Sequence, residues 1–168
     1  MINKKTFTLL LAMCLAGGFV SAQDKGHTHD HARSEIGFGF GAVYVAGDGV
    51  WGKGAHLHYT RSIKPDSRFS FGCGVERIWA ADEAHFSINA GVKYELFERF
   101  DLGVMPGVTF FNHTDDGHKS SGSRFSLHCE AAYNLFHWGN FHFAPVLDYA
   151  WSPGDSHLMP GVHIAYCF

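Results

Sequence analysis

The feature that most constrains this chain is the period of its final run. Leu158, Pro160, Val162, Ile164, Tyr166 and Phe168 take every second position, and His157, Met159, Gly161, His163, Ala165 and Cys167 lie between them. A period of two is that of a β-strand, whose successive side chains point to opposite faces. One face is then apolar along its whole length and closes on an aromatic ring. A soluble sheet buries such a face against a second layer, whereas a strand facing lipid needs no second layer.

Seven further segments repeat the alternation: Glu35–Val45, Lys53–Ser62, Arg68–Trp79, His85–Leu96, Phe100–Phe110, Arg124–Leu135 and Phe141–Trp151. His85–Leu96 shows it most cleanly, with Phe86, Ile88, Ala90, Val92, Tyr94 and Leu96 against His85, Ser87, Asn89, Gly91, Lys93 and Glu95. In each segment the rings and most aliphatics share one face, while the histidines and most charges and glycines share the other. Eight strands of about ten residues have the length and number of the smallest transmembrane barrels. The expected fold is all-β, an eight-stranded antiparallel up-and-down transmembrane β-barrel over 35–168. The aromatic content of 15% and the 20 glycines suit it, since rings form interfacial girdles and glycine relieves crowding inside. Eight strands leave an interior just wide enough for side chains, so no open pore is expected. Pro106, Pro145 and Pro160 fall on the outward face and are expected to mark bulges, because proline cannot donate to a ladder.

At the terminal strand the chain resembles the bacterial outer-membrane barrels, whose assembly machinery reads a closing strand of alternating apolar residues ending in an aromatic. Val162, Ile164, Tyr166 and Phe168 carry that match. Over Glu35–Phe168 the pattern as a whole is similar to the small outer-membrane barrels of the OmpA and OmpX type. The resemblance implies outer-membrane lipid and the assembly machinery as partners, and a role in envelope integrity, surface interaction or stress response rather than catalysis.

The other end agrees with this address. Lys4 and Lys5, an apolar stretch from Phe7 to Gly18, and Val20-Ser21-Ala22 have the order of a secretory signal peptide, expected to span 1–22. A lipoprotein signal at Cys14 is the weaker reading, since Met13 is a poor residue before a lipidated cysteine. Residues 23–34 then form a His-rich segment before the barrel. Connections near Ile63–Ser67, Phe97–Arg99 and Phe136–Asn140 are short; Phe111–Ser123 is long and polar, and Ala46–Gly52, Ala80–Ala84 and Ser152–Ser156 alternate with the short set. Short turns face the periplasm in such barrels, which places both termini there and the polar loop 111–123 outside, as a site for an extracellular ligand. The formal net charge of −3 offers no basic surface, so no nucleic-acid partner is expected.

The second strong feature is the count of 13 histidines, which fall in three places. His27, His29 and His31 form a His-x-His-x-His run whose side chains, in extended chain, lie on one side about 7 Å apart. His56, His58, His128, His142 and His163 face the lumen, with His85 and His157 toward its outer mouth. Counting through the intervening turns sets His128 opposite Asp148, His142 near Cys167, and Glu76 diagonal to His56. Gly37, Gly39 and Gly41 lie between the second and last strands and leave room for imidazoles from both sides. The third place is the outer loop, with His113, Asp115, Asp116 and His118, whose spacing lacks the glutamate of an EF-hand. No cofactor is required by the pattern. Imidazole clusters suit zinc, with nickel or copper as alternatives. The favoured function is a non-enzymatic outer-membrane barrel that binds or senses a transition metal through His27, His29, His31, His56, His58, His128, His142, His163 and Asp148. The alternatives are a structural or adhesive surface barrel whose histidines only pack, and a lipid A-modifying enzyme. The last rests on His85-Phe86-Ser87, which looks somewhat like the His-x-Ser stretch of outer-membrane lipid A deacylases but opens the fourth strand instead of lying near the end of the chain. Cys73 and Cys129 are expected on the lipid face as small apolar residues.

Overall fold

Alternating apolar and polar residues produce strands throughout the computed structural model, which describes residues 34–64, 67–80, 83–115 and 118–168. Within these residues the strands are β1 (Ser34–Val45), β2 (Val50–Ser62), β3 (Phe69–Ala80), β4 (Glu83–Phe97), β5 (Phe100–Asp115), β6 (His118–Tyr133), β7 (Phe136–Trp138), β8 (Phe141–Ser152) and β9 (Asp155–Cys167). Each long strand pairs antiparallel with its neighbour in sequence, β1 pairs with β9, and β6 pairs with β8, so eight long strands close into an up-and-down barrel. The three-residue β7 pairs only with β8 and follows the end of β6 after a break at Asn134 and Leu135. At the seam Ser34 and Phe168 exchange two backbone hydrogen bonds, of 3.0 and 2.8 Å. The expected signal peptide 1–22 and His-rich segment 23–34, Ser34 excepted, lie outside the described residues.

The expected faces are the observed ones. On β1, Ile36, Phe38 and Phe40 are 45, 48 and 51% exposed, and the same outward exposure holds for Leu57, Phe71, Ile88, Val104, Phe125 and Ile164 on other strands. The buried residues are mostly polar: His56, His58, Thr60, Glu76, Ser87, Asn89, Glu130, His142, Asp148 and His163 among them. This inverts the order of a soluble protein and leaves an apolar outer surface that lipid must cover. Trp51, Trp79 and Trp151 stand outward at the end away from the termini, and Phe97, Phe136, Trp138, Phe141 and Phe168 at the other, as two aromatic girdles. Cys73 and Cys129 are exposed on the outer face as expected, and all three described cysteines are free. The lumen is not polar everywhere: Val43, Val45, Ile78, Ala80 and Met159 form a buried apolar cluster toward the end away from the termini.

Two expectations need correction. The polar stretch 111–123 is a continuation of β5 and β6, paired from Phe111 with Gly122 to Asp115 with His118, and not a long loop. Beyond the bilayer both faces of a hairpin can be wetted, so polar residues still complete a ladder. Arg124 anchors its base, donating to Asp155 at 2.7 Å and lying 4.8 Å over the Phe111 ring. Strand extension likewise shortens the connections 46–49, 81–82 and 153–154, so loop length does not separate the two ends. Pro153 and Gly154 make one such turn, with Gly154 at φ 85°, the positive value that glycine adopts freely. The second correction concerns proline. The register runs unshifted past Pro106, Pro145 and Pro160, so none marks a bulge. Each instead interrupts one ladder. The β4–β5 pairing skips from Asn89–Gly107 to Val92–Val104, β1–β9 skips from Gly41–Gly161 to Tyr44–Leu158, and β6–β8 ends at Val146, next to Pro145.

The outward face makes a direct test. Leu57→Arg at mid-barrel should cost about 2–4 kcal/mol of folding free energy in phosphatidylcholine vesicles. Ser121→Arg on the exposed hairpin should leave stability unchanged. Reversible urea unfolding measures both.

Candidate functional site: the lumen histidine column

The barrel interior gathers imidazoles because β1 lacks side chains where its neighbours need room. His56 and His58 lie two apart on β2 and so share the inward face, and His163 reaches them from β9 across β1. A Cβ at Gly37 would overlap the His163 ring and come within 2.7 Å of His58 Nε2, and one at Gly39 would overlap the His56 ring. The expected role of these two glycines is thus the observed one. Gly41 differs: its missing Cβ is displaced by the backbone of Pro160 and Gly161, not by imidazole. The three rings pack with centroids 4.5 to 5.9 Å apart, and one ligand nitrogen from each lies within 4.8 Å of the others. His56 Nε2 and His163 Nε2 are buried and have no hydrogen-bond partner.

Toward the termini lies a second group. Glu35, His142 and Cys167 bring one ligand atom each within 4.8 Å. Cys167 Sγ is 3.5 Å from His142 Nδ1, which is the expected neighbour relation, reached diagonally since His142 pairs with Ala165. Glu35 is the hub. Its Oε1 accepts from His58 Nε2 and Lys93 Nζ, each at 3.2 Å, and its Oε2 is 3.4 Å from His142 Nε2. Lys93 also lies 3.4 Å from Asp101, which accepts from Asn134 at 3.2 Å.

Away from the termini lies a third group, in which Glu76, His128 and His157 bring their ligand atoms within 4.8 Å. His128 is not opposite Asp148 as expected. It pairs with Ala150, and Glu130 takes the position facing Asp148. The turn between β7 and β8 centres later than counted, on Gly139 and Asn140, with Gly139 at φ 58°. The shift is two residues, so the face is preserved, and His128 Nδ1 still reaches Asp148 Oδ2 at 3.3 Å. Glu76 is directly opposite His56 and not diagonal to it.

Of the residues singled out in the sequence, the structure brings together His56, His58 and His163, and separately His128 with Asp148. His142 lies beside Cys167 and also borders the first of these, its ring centroid 5.8 Å from that of His163. His27, His29, His31 and Asp116 lie outside the described residues. His113, Asp115 and His118 take part in the hairpin ladder, where His113 faces Ser120 and Asp115 faces His118. Glu35, Lys93 and Glu130 were absent from the candidate set, although their inward parity was legible. His85 and Ser87 are buried in the lumen, and Ser87 Oγ lies 2.8 Å from Thr109 Oγ1 in a hydrogen bond.

The electrostatics follow from this census. Glu76, Asp101, Glu130 and Asp148 are buried, and the Glu35 side chain is 13% exposed. Against these five carboxylates stands the ammonium of Lys93, while Arg124 is matched by Asp155. Counted as ionised, these five acids and one lysine sum to four negative charges. A low-dielectric interior demands compensation for them. The groups able to supply it are protonated imidazoles or bound cations.

No family model matches this chain, and no curated protein matches it. Solved structures do. Neisserial surface protein A superposes with a TM-score of 0.67 at 11% identity, covering 82% of this chain and 98% of that one. Ail, the attachment invasion locus protein of Yersinia pestis, gives 0.59 at 17% identity, covering 82% and 99%. A de novo designed transmembrane β-barrel gives 0.52 at 14% identity, covering 82% and 97%. The fold is therefore that of the small eight-stranded transmembrane barrels.

Lys93 tests the electrostatic account. Lys93→Met should destabilise the barrel by about 3–5 kcal/mol, because Glu35 and Asp101 lose their shared cation. Lys93→Met/Glu35→Gln should recover part of the loss. Urea unfolding in vesicles reads both, and an unchanged midpoint for Lys93→Met would contradict the lumen charge balance.

Proposed function

We propose that this chain is a non-enzymatic bacterial outer-membrane barrel that binds a transition metal, zinc foremost, inside its lumen. One observation carries the reading: three buried imidazoles from two strands converge within 4.8 Å, two of their nitrogens lack hydrogen bonds, and two glycines clear the space. Neutral imidazole is a strong ligand for zinc, nickel and copper, and an orphaned buried nitrogen recovers its lost hydration by coordination. Glu35 beside the cluster bonds His58, as carboxylates do for ligating histidines. His27, His29 and His31, two residues apart in sequence, would offer metal a first contact before this site. The apolar belt, the two aromatic girdles and the terminal Val162, Ile164, Tyr166 and Phe168 support residence in the outer membrane and handling by the barrel-assembly machinery. Both termini would then be periplasmic.

A second reading has its own support. The β5–β6 hairpin projects past its neighbours, and one structural relative is by its name an attachment and invasion protein. On that reading the hairpin around 111–123 contacts an extracellular ligand and the histidines only pack. A lipid A-modifying activity is third, and the burial of Ser87 inside the lumen disfavours it.

Calorimetric titration of the refolded chain with zinc decides between the first two. A variant with His27, His29 and His31 replaced by serine should keep a saturable heat. Adding His163→Ala should weaken it by more than about tenfold, as expected when a metal ligand is lost. No saturable heat in the serine variant would end the lumen-metal reading.

A further inference from the structure

The third group stands outside that cluster and has a different donor set. His128, Asp148 and His157 come from the adjacent strands β6, β8 and β9, and Glu76 reaches them across the lumen from β3. Their relative exposures are 2, 1, 3 and 5%. His157 Nε2 lies 3.3 Å from Glu76 Oε1, and the His128 and His157 rings sit 5.9 Å apart. Both oxygens of Glu76, His128 Nε2, His157 Nε2 and Asp148 Oδ1 have no hydrogen-bond partner. Glu76 Oε1 and His157 Nε2 face each other as an ion pair, but Glu76 Oε2, His128 Nε2 and Asp148 Oδ1 have no such partner, and a buried polar atom without a bond is costly.

One divalent cation would satisfy Glu76, His128 and His157 together. Two imidazoles with carboxylate make a harder set than three imidazoles, and suit zinc, ferrous iron or manganese. His56 connects the two clusters, for its ligand atom also lies within 4.8 Å of those of Glu76 and Asp148. Counted as ionised, Glu35, Glu76, Asp101, Glu130 and Asp148 against Lys93 leave four negative charges, a number that divalent cations, beside protonated imidazoles, can offset. We propose that the lumen is a two-metal chamber, with a second divalent cation held by Glu76, His128 and His157 and flanked by Asp148. This rests on the lumen-metal reading above and extends it to a distinct centre.

Metal content per chain tests it. The refolded protein with His27, His29 and His31 replaced by serine is equilibrated with zinc, passed through gel filtration and measured by plasma mass spectrometry. Two equivalents are expected. Glu76→Gln/His157→Asn should hold one, and His58→Asn/His163→Asn should hold one. Cobalt replacing zinc should give visible absorption that saturates at two equivalents in the parent, which needs no variant to fold. One equivalent in the parent overturns the second centre and leaves the first standing. Two equivalents retained by a folded Glu76→Gln/His157→Asn also overturn it. Zero equivalents in the parent overturn both readings.

Discussion

Ring closure of the backbone ladder is the constraint on which the rest of this structure depends. A hydrocarbon environment offers no partner to an unpaired amide, so a sheet can stand in it only without edges. Here the last edge is removed where β9 meets β1, with Ser34 and Phe168 bonded at the seam. Closure divides every strand into two faces with no exceptions to choose from. Positions facing hydrocarbon must be apolar, and the inward ones must fill a cylinder only a few side chains wide.

That narrow cylinder explains the chemistry. Polar groups placed there cannot reach bulk water and must satisfy one another. The Glu35 hub does so, with His58, His142 and Lys93 arranged around one carboxylate. Farther from the termini the satisfaction fails: His56, His163, Glu76, His128, His157 and Asp148 all retain orphaned atoms. The lumen is thus well paired at one end and under-paired in its middle. A protein that only needed filling could have used serine, threonine and apolar groups there, as it does around Ser87, Thr109 and Val43. The concentration of unpartnered ligand atoms at two points, together with the excess of carboxylates, is the physical case for cations inside the barrel.

The fold was legible in the sequence because parity is robust. A strand's period of two survives errors of boundary and even a register slip of two, which is why His128 was placed inward correctly despite being set opposite the wrong residue. Gly37 and Gly39 were legible for the same reason, since their inward parity beside His56, His58 and His163 left only one use for the missing side chains. Register was less legible. The count from His128 to Asp148 centres the turn near Trp138, whereas the local hairpin signal is the Gly139-Asn140 pair, which forms it, and the break at Asn134 and Leu135 is what the sequence does not announce. The polar run 111–123 reads as a loop because polarity suggests solvent, yet a hairpin standing in water is polar too. Glu35 does not stand out in the sequence as a hub, because its partners come from β2, β4 and β8, and only closure of the ring brings those strands around it.

The claim at the centre of this account is that the lumen imidazoles are metal ligands and not packing groups. Anomalous diffraction at the zinc edge, from crystals of the refolded barrel grown with zinc, tests it most directly. The account expects an anomalous peak bonded to His56, His58 and His163. Crystals that show those three rings well ordered, with no anomalous density anywhere inside the barrel, would contradict it.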